Sequence, residues 1–340
     1  MDKKKILITG AAGFIGYHLI KSLSESNFVL VGLDNLNDYY DVNLKLERLK
    51  QSGIILPKRF NEEIIIKSTV FANYTFIKGD ISELEFLELI VEKYSITQII
   101  HLAAQAGVRY SIKNPRKYFE SNIDGFFNIL EITRKYRMEE LVFASSSSVY
   151  GESDQVPFKE NEISYKPESF YAATKMCNEI MASSYSKIYN IKIIGLRFFT
   201  VYGPFGRPDM APFLFASSLQ QKTPISIFNN GLMERDFTYV EDIVKYIHGI
   251  LGKKMESNFS IFNIGNGSPI KLLKFIQLLE EEFGTKSEKI YFPMQQGDVT
   301  KTWASTDEIE KVVAPIYKTK IEDGIKKFVN WFKEYYKLNK

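Results

Sequence analysis

The 340-residue sequence predicts an α/β fold, an open, doubly wound parallel sheet followed by a smaller C-terminal lobe. Three observations predict it. Short apolar runs alternate with amphipathic stretches of helical period from residue 5 to residue 198, which is the pattern of repeated strand–helix–strand units. The first run ends in a glycine-studded turn, Thr9-Gly10-Ala11-Ala12-Gly13-Phe14-Ile15-Gly16. Beyond residue 200 the alternation breaks up at Pro204, Pro208, Pro212 and Pro224. The expected division is therefore 1–200 for most of the sheet domain, with segments of about 235–265 returning to it, and 201–340 for most of the smaller lobe.

The first strand is Lys5-Ile6-Leu7-Ile8, apolar throughout as a strand buried on both faces must be. The helix after it carries Phe14, Ile15, Leu19, Ile20 and Leu23 on one face. The intervening glycines have separate uses. Gly10 permits a tight turn, Gly13 lets backbone approach a pyrophosphate, and Gly16 lets helix and strand pack closely. The helix N-terminus, at Phe14 and Ile15, presents free N–H groups to phosphates. The spacing is G-x-x-G-x-x-G rather than G-x-G-x-x-G, and the unit still reads as a Rossmann-type dinucleotide site. The second strand, Phe28 to Leu33, ends in Asp34. An acid at that tip can accept both ribose hydroxyls of an adenosine and repels a 2′-phosphate, which favours NAD over NADP. Asn35 and Asn37 follow it in the same cofactor-facing loop, and Val42 to Lys50 reads as a short helix.

From Gln51 to Tyr74 the pattern is poor, an excursion before the third strand, Tyr74-Thr75-Phe76-Ile77. Asp80, followed by Ile81, has two readings of equal weight: a partner of the adenine amino group, or the N-cap of a helix from Glu83 to Tyr94. The fourth strand, Gln98 to Leu102, runs into Ala103-Ala104-Gln105, small residues at a strand tip where a flat ring can lie against backbone. A loop carrying Arg109 leads to a long helix from about Pro115 to Tyr136, with Asn122 buried among its apolar positions and expected to bridge neighbouring strands. The fifth strand, Leu141 to Ala144, delivers Ser145-Ser146-Ser147-Ser148 to the carboxyl edge of the sheet, where open α/β sheets bind ligands. A helix begins near Tyr171, the sixth strand is Lys192 to Phe198, and Thr200 ends that segment. A final amphipathic helix spans Ile321 to Tyr336.

Composition narrows the function. Charged residues make up 25% and the net charge is +3, from 44 basic and 41 acidic side chains, so neither nucleic acid nor a membrane is expected as a partner. The lysines after Asp2 imitate a signal peptide, but the stretch behind them carries the glycine turn, and no apolar run is long enough to span a membrane. A single cysteine, Cys177, and three histidines leave no material for a disulfide or a cysteine- or histidine-rich metal site, so no metal is expected and a reducing cytoplasm fits.

Tyr171 and Lys175 are four apart on one helix face. An ammonium beside a phenol lowers the phenol's pKa, and such a tyrosine can take a proton from a sugar hydroxyl. One serine of the Ser145–Ser148 run can share that proton, and a nicotinamide cofactor accepts the hydride.

Together the glycine triplet, the serine run and Tyr171-x-x-x-Lys175 resemble the extended short-chain dehydrogenase/reductase family. Asp34 to Asp41, His101 to Ser111, Ser145 to Gly151 and Arg197 to Met210 are similar to the UDP-glucuronate 4-epimerases within it. The resemblance implies Ser146, Tyr171 and Lys175 as the catalytic trio, and Gly10, Gly13, Gly16, Asp34, Asp80, Ile81 and Lys175 at NAD. It implies Arg235 at the UDP phosphates, Asp298 at the uridine ribose, Arg109 among the substrate contacts, and Ser147, Ser148, Thr200 and Arg207 around a sugar carboxylate. A buried, unpaired arginine is costly in a site for neutral sugars, which makes Arg207 the argument for a uronic acid. The activity implied is oxidation at C4, rotation of the 4-keto sugar and re-reduction, in a homodimer paired through the two long helices, with Phe127 and Met181 available to the contact. Ser305 departs from the family pattern, where an acid is common. A dehydratase or decarboxylase on the same fold would carry an acid just after the serines, and none occurs before Glu152. UDP-glucose and UDP-N-acetylhexosamine(uronate) remain alternative substrates. A non-catalytic NAD sensor would typically have lost the tyrosine or the lysine.

Overall fold

Nearly continuous apolar runs become central strands because both of their faces are covered by helices. In the computed structural model, which describes residues 3–57, 64–153, 155–162, 164–295, 297–314 and 316–337, these runs form β1 (Lys5–Thr9), β2 (Val29–Asp34), β3 (Ile64–Lys67), β4 (Tyr74–Lys78), β5 (Gln98–His101), β6 (Glu140–Ser146) and β7 (Ile193–Phe198). An eighth strand, Phe259–Ile264, completes one sheet in the order Phe259–Ile264, β7, β6, β5, β1, β2, β4, β3. Every pairing is parallel except β3 with β4. The order reverses between β1 and β5, so their carboxyl ends flank the switch point where such sheets place ligands. Asp2, Gln296 and residues 58–63 of the 51–73 excursion lie outside the described residues.

Helices Phe14–Leu23 and Val240–Ile250 pack on one face, burying Leu19, Ile20, Ile243 and Ile247 against Ile6, Ile8 and Ile194. Helices Leu84–Tyr94, Gly125–Lys135 and Phe170–Tyr189 cover the other, with Leu87, Ile129 and Ala182 against Leu7, Ile99 and Phe143. A third core forms the C-terminal lobe, where Phe213, Phe275, Phe328 and Phe332 come from helices Ala211–Gln221, Leu272–Phe283 and Ile321–Tyr335. Segments beyond 235 are divided between the two. The strand Phe259–Ile264 and the helix Asp307–Val312 belong to the large sheet and its core, whereas Phe237 belongs to the lobe. No helix among the described residues is long and apolar enough to cross a membrane.

Four local readings change. Arg109, expected in a loop, lies in the short helix Val108–Lys113. The excursion contributes Ile64–Lys67 as an antiparallel edge strand, which its Ile64-Ile65-Ile66 run signals. The long helix is not uniform: Pro115–Tyr118 leads into a π-helical turn, Phe119–Asp124, before Gly125–Lys135. Asn122 lies in that turn and explains it. Its backbone carbonyl accepts from Asn178 Nδ2 (2.6 Å), while its side chain pairs with the Gln105 N–H (2.8 Å) and carbonyl (3.0 Å) and donates to Thr174 Oγ1 (3.1 Å). Side-chain ties of this kind divert a turn from the regular ladder. Asn122 thus bridges a strand-tip loop to a helix rather than one strand to another. Finally, Asp80 is not an N-cap. The helix starts at Leu84 without a side-chain cap, and Asp80 accepts from Ser82 N (2.9 Å), Ser82 Oγ (2.8 Å) and Asn35 Nδ2 (2.7 Å). Burial works to raise its pKa, but these hydrogen bonds prevail and lower it.

Candidate active site

One cavity of about 950 Å³ runs from the β1–helix turn to the C-terminal lobe. It is lined by all the site residues expected from the sequence except Asp80, whose neighbours Gly79 and Ile81 line it instead.

At one end the glycine turn is shaped by backbone contact. Gly10 has φ +73°, and a Cβ there would lie 2.8 Å from the Ala103 nitrogen. A Cβ on Gly16 would overlap the Gly10 carbonyl oxygen. The packing of β1, its helix and the β5 tip therefore requires both glycines, whatever else they do. Gly13 precedes a helix with neither a side-chain cap nor an acid in its first turn, so the N–H groups of Phe14 and Ile15 stay available for an anion. Asp34 spends one oxygen on Ala12 N (3.0 Å) and the other on Leu36 N (2.8 Å). Each oxygen keeps a lone pair for a ribose hydroxyl. Ala103, Ala104 and Gln105 supply the flat floor, with the Ala103 N–H donating to Thr9 Oγ1 (3.2 Å). The cradle fits a dinucleotide: acceptors at the ribose end, bare amides at the phosphate position, and small side chains beyond.

Ser146, Tyr171 and Lys175 line the same cavity. Ser146 ends β6, accepts from Ser148 N (3.2 Å) and donates to Ser148 Oγ (3.1 Å). Ser169 caps the helix Phe170–Tyr189 by accepting from Ala172 N (3.1 Å), which fixes Tyr171 in its first turn beside Ser146. Burial raises the Tyr171 pKa, opposed by the Ser146 hydrogen bond and then by the charge of Arg207. This differs from the expectation that Lys175 would lower it. The Lys175 ammonium instead donates to the Ala144 carbonyl (2.8 Å), and burial pulls its own pKa down to about 8, partly offset by Glu179.

Toward the lobe, Arg207 holds the Asp209 carboxylate through Nε (3.0 Å) and Nη2, and Tyr39 donates its hydroxyl to Asp209 Oδ2 (2.9 Å). Burial disfavours the Arg207 charge, but the Asp209 carboxylate outweighs it and keeps the guanidinium ionised. The cost assigned to an unpaired Arg207 therefore does not arise, because its partner is two residues away. Ser147, Ser148 and Thr200 line the same cavity. At the far end Arg109 pairs with Asp298 (3.1 Å) and lies over the Phe228 ring, 5.3 Å from its centre. Arg235 donates to the carbonyls of Glu234 (3.0 Å), Thr300 (3.0 Å) and Val299 (2.6 Å).

Several contributors escaped the sequence reading. Arg48, fully buried, donates to the carbonyls of Ala12 (2.9 Å) and Phe205 (2.8 Å) and to the Tyr40 hydroxyl (2.7 Å). Lys45, one turn earlier, donates to the Asn37 carbonyl (2.7 Å) and Oδ1 (2.9 Å). Their signal was present: two cations share the apolar face of a helix with Leu44 and Leu49. Glu168 also lines the cavity, and Glu179 pairs with Arg197 (2.8 Å) behind Ser145. Ser305 donates to Asp307 (2.9 Å), outside the cavity.

Comparison with known proteins agrees with this geometry. Residues 6–265 match the family described as "NAD dependent epimerase/dehydratase family". The chain is 40% identical to UDP-glucuronate 4-epimerase 4 of Arabidopsis thaliana, with 98% of this chain and 76% of that protein covered. It is similar to the crystal structure of the Bacillus cereus UDP-glucuronic acid 4-epimerase in complex with UDP-glucuronic acid and NAD (30% identity, TM-score 0.86, covering 98% of this chain and 100% of that one). It is also similar to the UDP-glucose 4-epimerase of Thermotoga maritima with UDP-glucose (28% identity, TM-score 0.84, covering 98% and 99%). A cradle built for a dinucleotide, joined to a tyrosine–serine–lysine cluster and matched along three quarters of the chain, leads to one assignment: the chain belongs to the NAD-dependent epimerase/dehydratase family, with NAD as its cofactor.

Proposed function

We propose that this protein is a nucleotide-sugar 4-epimerase acting on a UDP-uronic acid, interconverting UDP-glucuronate and UDP-galacturonate. The observation that carries the substrate choice is the place of Arg207. Its charge bears on the Tyr171 hydroxyl while its fork lines the same cavity as Ser147, Ser148 and Thr200. A cation that close to the group reacting at C4 is within reach of the substituent on the adjacent C5. NAD supplies reversible hydride acceptance at C4. Tyr171 takes the C4 hydroxyl proton and returns it, and Ser146 hydrogen-bonds the reacting oxygen. Lys175, charged below about pH 8, would hold the cofactor's ribose, while the positive field on Tyr171 comes from Arg207. Arg235 and Asp298 hold the UDP phosphates and the uridine ribose, beside Arg109. The 4-keto uronate is a β-keto acid that loses carbon dioxide when its carboxylate bond aligns with the ketone π system. A bidentate arginine with nearby hydroxyls holds the carboxylate out of that alignment.

The paired state of Arg207 favours a second reading, a neutral UDP-hexose, because Asp209 already balances the guanidinium. A side-by-side assay of UDP-glucose, UDP-glucuronate and UDP-N-acetylglucosaminuronate, with product mass and anomeric NMR, separates the two. The uronate reading requires faster turnover of UDP-glucuronate, unchanged product mass, and loss of that preference with leakage of UDP-pentose in Arg207→Ala. Better turnover of UDP-glucose refutes it. Phe127 and Ile180, exposed on the two long helices, support a homodimer, whereas Met181, expected at the contact, packs against the core of the large sheet instead. Phe127→Glu/Ile180→Glu should then halve the sedimentation mass, and a single-chain mass for the wild type would exclude pairing.

A further inference from the structure

The structure assigns Asp209 as a positioning residue that sets how strongly the site distinguishes an anionic from a neutral sugar. The inference rests on Arg207 meeting the C5 substituent, as above. Arg207 presents to Asp209 the Nε–Nη2 edge, one of the forked edges that suit a carboxylate. An internal carboxylate thus occupies one edge, and the guanidinium plane is fixed by it. Asp209 is itself held. Tyr39 reaches it from the loop after β2, and the Tyr39 ring lies against Tyr110, with centres 4.8 Å apart. Space for the Tyr39 hydroxyl exists because residue 107 is glycine, at φ +105°, where a Cβ would collide with that oxygen. Three separate segments therefore converge to keep a carboxylate on Arg207.

The consequence is electrostatic. The pair is neutral as a unit, so an incoming sugar carboxylate meets a directed but partly compensated cation. A neutral sugar, for its part, faces no unpaired buried charge. Replacing Asp209 by asparagine keeps the shape and an acceptor oxygen for the fork while removing the opposing charge. The test is calorimetric titration of the NAD-loaded enzyme with UDP-glucuronate and UDP-glucose. Asp209→Asn should tighten UDP-glucuronate about tenfold and weaken UDP-glucose, which then meets an unpaired guanidinium. The neutral double variant Arg207→Gln/Asp209→Asn should bring the two affinities to within about twofold of each other. An unchanged affinity ratio in Asp209→Asn, an equal change for both ligands, or discrimination surviving in the double variant overturns the assignment. Binding needs no turnover, so the ratio tests Asp209 even if UDP-glucuronate binds without being epimerised. That last outcome would refute the proposed reaction separately.

Discussion

Arg48→Met should destabilise the protein and loosen its cofactor turn together. The Arg48 side chain is fully buried and, among the described residues, has no carboxylate as a hydrogen-bond partner; it is held by the carbonyls of Ala12 and Phe205 and by the Tyr40 hydroxyl. Hydrogen bonds to a charged group contribute about 1.5–3 kcal/mol each, and an orphaned buried carbonyl costs about 1–3 kcal/mol. Removing the charge returns part of its desolvation energy, so the net loss is about 3–5 kcal/mol rather than the sum. Unfolding entropy of about 2.1 cal/mol/K per residue gives about 0.7 kcal/mol/K for this chain, which places the fall in Tm near 5–6 °C for a loss of about 4 kcal/mol. The same residue links stability to binding. Ala12 donates its N–H to Asp34 and offers its carbonyl to Arg48, so the glycine turn is clamped from both sides. NAD affinity should therefore fall as well, and Arg48→Lys, which keeps the charge but not the fork, should lie between. Scanning calorimetry with and without NAD, plus an NAD titration, measures both. A Tm within about 1 °C of the wild type, or weakened NAD binding without any fall in Tm, would show that Arg48 does not couple the turn to the core.

Tyr171→Phe should lower kcat by about 10²–10⁴ while NAD binding persists, measured by single-turnover reduction of the bound cofactor and by NAD titration; a loss under tenfold removes Tyr171 from the proton-transfer role. The activity profile should decline on the alkaline side near pH 8 as Lys175 loses its proton. Since Glu179 raises the Lys175 pKa, Glu179→Gln should move that limb to lower pH, and an unmoved limb would dissociate it from Lys175. Gly16→Ala should be among the most damaging small substitutions, since its Cβ overlaps the Gly10 carbonyl; a soluble, NAD-binding Gly16→Ala protein would contradict the packing described.

Legibility followed the length scale of each interaction. The strands were visible because burial on both faces forces runs of Ile, Leu and Val, and the sheet order turns their ends into one edge. The glycine turn, the serine tip and the Tyr171–Lys175 pair were visible because each is local, within one turn or one helix face. What stayed hidden depends on partners far away in the chain. Nothing near Asn122 announces that it will bond the backbone at Gln105 and the side chain of Thr174, and so bend a helix into a π turn. Nothing near Tyr39 announces Asp209, 170 positions later. The same reasoning explains why Arg207 was read as unpaired. The proline between it and Asp209 marks a turn, and a turn can bring residues two apart onto one fork, but only the third partner, Tyr39, fixes that geometry. Lys175 shows the converse. Its spacing from Tyr171 fixes a shared face, yet spacing alone cannot say whether the ammonium spends a hydrogen bond on the phenol or on a carbonyl. Here the ammonium donates to the Ala144 carbonyl, delivered by β6, and control of the tyrosine falls to Ser146 and Arg207. Those two groups come from β6 and from the loop after Thr200, so the Tyr171 hydroxyl answers to both the sheet edge and the chain segment that leads into the C-terminal lobe.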